Sequence, residues 1–82
     1  MMSAGPWNEC VVVRSGEGGL AFVSTTSEAL ALLQEAWPQR RGPAYHTAVA
    51  ACEEVLSGHL PAYVARITFL DASREAGIAV AP

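Results

Sequence analysis

The chain has 82 residues, 51% hydrophobic and only 16% charged, with a formal net charge of −3. That length holds a single core, and that apolar content excludes a disordered chain. The charged fraction falls below the roughly 25% usual for soluble proteins, which favours an assembly that hides surface, and an acidic chain is poorly suited to a phosphate backbone.

Residues 1–8 read as a tail, broken by Gly5-Pro6, with Trp7 placed to pack over a core edge. The domain proper runs from residue 9 to 82. Cys10-Val11-Val12-Val13-Arg14 and Leu20-Ala21-Phe22-Val23-Ser24 are β-rich, and Ser15-Gly16-Glu17-Gly18-Gly19 joins them as a hairpin turn. Val11 and Val13 share one face, and Arg14 marks the other as the wetter. The glycines are followed by a strand rather than a helix, so they do not form a phosphate loop.

Thr25-Thr26-Ser27-Glu28 has capping-box spacing and starts a helix that the pattern carries to Trp37, where Pro38 stops it. The Trp37 indole N–H is expected to find a carbonyl or water. The loop that follows holds Arg40 and Arg41, which complement the helix end or contact an anion. A second helix runs from Pro43 to Gly58, with Tyr45, Ala48, Val49, Cys52, Val55 and Leu56 on its apolar face and His46 outside. A third runs from about Pro61 to Ala76 and ends at Gly77. Its stripe of Ala62, Ala65, Phe69, Ala72 and Ala76 allows close helix packing. Nearly opposite lie Tyr63, Ile67 and Leu70, also apolar, so this helix has one face more than a small core can cover. Ile78-Ala79-Val80 is a candidate third strand. The expected fold class is α+β, an N-terminal antiparallel hairpin packed on three helices.

Several pieces in order resemble a small bacterial family known as domain of unknown function 982. They are Trp7 before a Val-rich strand, Ser24 to Glu28-Ala29, Leu33, Trp37-Pro38, Arg41-Gly42-Pro43, Ala48 to Cys52, Leu56-Ser57-Gly58, Pro61, Ala65-Arg66, Phe69 and Glu75-Ala76-Gly77-Ile78. The resemblance covers nearly the whole chain and implies a compact α+β domain, with no activity, cofactor or partner attached. The family pattern commonly carries a histidine where Tyr45 stands. Here His46 follows one place later, which argues against a required histidine ligand at this spot.

No nucleophile elbow or metal-ligand spacing is present, so no catalytic, metal or cofactor residue is assigned and the chain is not expected to be an enzyme. Cys52 reads as a small buried hydrophobe; Cys10 and Cys52 could pair only if the fold brought them together. With two cysteines and no secretory signal, a cytoplasmic location is expected. No apolar run reaches membrane-helix length, and no small-molecule ligand is evident.

The expected function is a binding or assembly module, a homodimer or a protein complex formed through Tyr63, Ile67 and Leu70. Arg40, Arg41 and Arg66 are candidate anion contacts. The alternative is a nucleic-acid-associated regulator using the second and third helices as a helix-turn-helix. It is disfavoured because the would-be recognition helix opens Pro61-Ala62-Tyr63-Val64, with nothing to read base edges.

Overall fold

The computed structural model describes residues 6–14, 19–38, 41–78 and 80–81. Their order is β1 (Pro6–Arg14), β2 (Leu20–Thr25), α1 (Thr26–Glu35), α2 (Pro43–Leu56), α3 (Ala62–Ala76) and β3 (Val80–Ala81). This is the expected hairpin followed by three helices, an α+β fold.

β1 and β2 pair antiparallel, with Val11 opposite Val23, Val12 opposite Phe22 and Val13 opposite Ala21. The pleat then divides them, so that Val11, Val13 and Val23 are buried while Leu20 and Phe22 stand exposed on the other face. β1 begins at Pro6 rather than Cys10, so residues 6–8, expected as tail, are strand. The reason is a register break. From Pro6 to Val11 is five steps along β1, against two from Val23 to Thr25 on β2, so the strand bulges before regular pairing resumes. Within it Trp7 is a core residue, and its indole Nε1 donates to the buried Thr26 Oγ1 at 3.1 Å. β3 pairs antiparallel with β1 and gives the order β2-β1-β3. The candidate third strand thus forms at Val80–Ala81, overlapping the expected stretch only at Val80. Ile78 lies outside it, and Ala79, like residues 15–18 of the hairpin turn, falls outside the described residues.

Thr25 caps α1 by accepting from the Glu28 amide at 3.1 Å. The Glu28 carboxylate reaches back to the amide of Ser24, at 2.9 Å, rather than to that of Thr25. α1 stops at Glu35, short of Trp37. Pro38 forces its predecessor out of helical geometry, and the helix ends before that residue is reached. Trp37 is buried all the same and packs edge-on to Phe69, with ring centroids 5.5 Å apart. The expected partner for its indole N–H is not supplied by any described side chain or backbone group.

α2 ends at Leu56, and Gly58 follows in the left-handed region at φ 85°. Its buried residues are Tyr45, Ala48, Ala51, Cys52 and Val55. Leu56, expected inside, is exposed, and Ala51 takes a place in the core. α2 packs on α3, where Ala65 and Ala72 are likewise small and fully buried, so close approach of the two helices suits Ala51 better than a large side chain. α3 ends as expected at Gly77, φ 74°.

Replacing Thr26 by Val removes the acceptor for Trp7 without changing side-chain size. The buried indole N–H is then stranded, at an expected cost of about 1–3 kcal/mol, read as a lower denaturant midpoint at an unchanged m-value.

Candidate functional site

The third-helix face survives in part. Tyr63 is 64% exposed and Ile67 51%, one turn apart on α3, with Leu60 at 38% just before the helix. Leu70 is half-buried and packs against the core, so it contributes only its outer part to this face. The reason is rotational. α3 sets Phe69 and Ala65 fully inside, and position 70 lies next to that stripe rather than opposite it.

Two of the three candidate arginines lie among the described residues. Arg40 lies outside the described residues. Arg41 donates from Nε to the Pro38 carbonyl at 3.3 Å and from Nη2 to the Trp37 carbonyl at 3.2 Å. Its guanidinium also covers the Tyr45 ring at 5.2 Å from the centroid. It therefore holds the chain between α1 and α2, the structural role the helix end asked for. Arg66 is half-buried on α3. Arg74, the other base on this helix, pairs with Asp71 at 3.0 Å on the surface.

Burial pushes the Cys52 thiol up to about 11, with the neighbouring Glu53 charge adding to the shift. At neutral pH it is a protonated packing group, not a nucleophile. Cys10 is exposed on the strand, and both cysteines are free thiols, so the conceivable pairing is not made. His59 Nδ1 lies 3.0 Å from Glu54 Oε1, a fully solvated contact of little energetic weight. His46 is exposed, its ring edge-on to Tyr45. Among the described residues no three His, Cys, Asp or Glu side chains converge as a metal site would require. No described helix is long and apolar enough to cross a membrane.

The most connected polar group is one that periodicity could not show. The Glu75 carboxylate, at the end of α3, accepts from the amides of Gly42 at 3.1 Å, Ala44 at 3.0 Å and Tyr45 at 3.0 Å. These are orphan donors of the first turn of α2, whose own N-cap, Gly42, has no side chain to offer. A Cβ on Gly42 would stand 2.6 Å from Glu75 Oε2, so glycine is what lets the carboxylate in. Two pieces of sequence thirty-three residues apart, Arg41-Gly42-Pro43 and Glu75-Ala76-Gly77, thus form one joint. Nearby, the Tyr45 hydroxyl donates to the Leu33 carbonyl at 2.9 Å and ties α2 to α1. The signal for the joint was present as the coincidence of both pieces in one pattern, but nothing local connected them.

The second surface that the sequence reading passed over is the outer sheet face, where Leu20 is 58% and Phe22 65% exposed.

Comparison with known proteins agrees with this architecture. Residues 9–80 match the model of the family described as protein of unknown function (DUF982). The NMR structure of the Agrobacterium tumefaciens protein Atu1219 is similar at 29% identity and a TM-score of 0.75, over 92% of this chain and 75% of that one. No curated protein matches the sequence significantly.

Proposed function

The chain belongs to the DUF982 family, and from that premise we propose that it is a non-catalytic assembly module that forms a homodimer through the outer face of α3. The observation that carries this reading is the exposure of Tyr63 and Ile67 on a helix whose opposite side is fully occupied by Ala65, Phe69 and Ala72. An exposed aromatic and a β-branched residue one turn apart form an apolar strip that a second copy can cover, and a twofold arrangement places each strip on its own mate. The residues that carry the family resemblance support the same division of labour. Trp7, Leu33, Trp37, Gly42, Cys52, Ala65, Phe69 and Glu75 are taken up by core packing or by the α2–α3 joint, whereas Tyr63 and Ile67 are taken up by neither. The acidic balance and the pairing of Arg74 with Asp71 favour a protein partner over a nucleic acid.

The test is Ile67→Glu with mass measured by light scattering after gel filtration at tens of micromolar. Wild type is expected at twice the chain mass and the variant at the single-chain mass, with its helical signal intact. A monomeric wild type, with Ile67→Glu changing neither solubility nor stability, overturns the proposal.

A further inference from the structure

β2 is an edge strand, since the sheet order is β2-β1-β3. Which of its backbone groups point outward follows from one hydrogen bond. The Ser24 amide donates to Glu28 Oε1 at 2.9 Å, so it faces away from β1. Backbone groups alternate sides along a strand, so Phe22 and Leu20 share the parity of Ser24 and turn their N–H and C=O groups to the open side. Glu28 closes one end of this edge and leaves the Leu20–Phe22 stretch as a short open template.

Natural edge strands are commonly blunted by a Lys, a Pro or an inward charge. Leu20–Thr25 has none of these, whereas β3 on the other edge is only two residues long. Beside the open edge lies a groove of about 310 Å³, floored by Ala21 and Val23 of β2 and walled by Ala31, Leu32, Glu28 and Glu35 of α1. Two carboxylates and no base line it; Arg14 lines only the smaller neighbouring hollow.

We infer that the β2 edge and its groove form a docking site for an extended segment of a partner protein, one that carries alternating apolar residues and at least one Lys or Arg. The incoming strand pairs with the open backbone of Leu20 and Phe22, as in recognition by strand addition. Its inward apolar side chains fill the groove over Ala21 and Leu32, and its basic residue meets Glu35 and Glu28. Charge selects this occupant over a second copy: a β2–β2 pair would bring a strand with no base to a groove lined by carboxylates, with the acidic α1 of the other copy beside it. This surface is separate from the α3 face, so either proposal can fail alone.

The experiment pans a phage-displayed random linear peptide library against the full chain, then titrates the selected peptides by amide NMR. The expected peptides carry Lys or Arg between apolar residues and lack Pro in their centre. They shift the amides of Leu20–Ser24 and Ala31–Ala36. Glu35→Lys, whose new charge suits the last turn of α1 and so leaves folding intact, weakens them about tenfold or more, and Ile67→Glu does not change them. Four results overturn the site: no enriched peptide, no basic bias, shifts mapped away from β2 and α1, or indifference to Glu35→Lys. A dimer whose own β2 amides are protected and which excludes peptide overturns the choice of occupant.

Discussion

Phe69→Ala is expected to lower the stability of the fold by about 3–5 kcal/mol. Phe69 has no exposed surface and meets two indoles, Trp7 at 5.8 Å and Trp37 at 5.5 Å between ring centroids. Truncating a buried Phe costs about 3–5 kcal/mol, the lost transfer energy plus the cavity left behind. Here the cavity would open beneath both tryptophans, and neither can collapse into it freely. Trp7 is held by its bond to Thr26, and the Trp37 carbonyl is held by Arg41. A domain of this size has roughly 4–12 kcal/mol in total, so the loss is most of what exists at the lower end. Urea denaturation followed by near-UV circular dichroism reads the result, because three aromatic environments disappear together. Phe69→Leu, which keeps most of the volume, is expected to remain folded with a lower midpoint.

Glu75→Gln is the second large effect and carries a pH signature. The Ala44 amide foremost, then those of Tyr45 and Gly42 with the His46 charge, hold the Glu75 carboxyl below its ordinary 4.5, against a smaller opposing push from desolvation. A carboxylate with a lowered folded value binds fewer protons folded than unfolded. Its stabilisation is therefore complete above about pH 4.5, the unfolded value, and is lost as pH falls through the folded one. Wild type should exceed Glu75→Gln in stability at pH 7, and the gap should narrow as pH falls below about 4.5 and through the folded value. Gly42→Ala should reproduce the neutral-pH loss with Glu75 itself unchanged in sequence, because the added Cβ displaces the oxygens that make the bonds. Equal stability of wild type and Glu75→Gln at pH 7 would contradict the joint.

Local chemistry made much of this fold readable. Val11 and Val13 alternate with Arg14, Thr25 sits three residues before Glu28, and Gly77 follows the last turn of α3; each is a signal within a few residues of its effect, and each is where it was expected. What escaped depends on partners distant in sequence. Trp7 was expected over a core edge, but nothing near it predicts a bulged strand or a bond to a residue nineteen positions on. The role of Glu75 escaped because the amides that donate to it lie thirty or more residues earlier. Leu56 and Ala51 could not be told apart by periodicity, since their sorting is decided by how closely α3 approaches. For the surfaces, Tyr63 and Ile67 were visible as an apolar strip too many for one core. Phe22 was not, because a β-rich run does not say which of its faces the helices will cover.

An isotope-filtered NOE experiment on an equal mixture of ¹³C-labelled and unlabelled chains tests the assembly reading most directly. Intermolecular contacts are expected between the Ile67 methyls of one copy and the Tyr63 ring of the other, all lost in Ile67→Glu. Intermolecular contacts confined to Leu20 and Phe22, or none in a sample whose mass is that of a single chain, would contradict it.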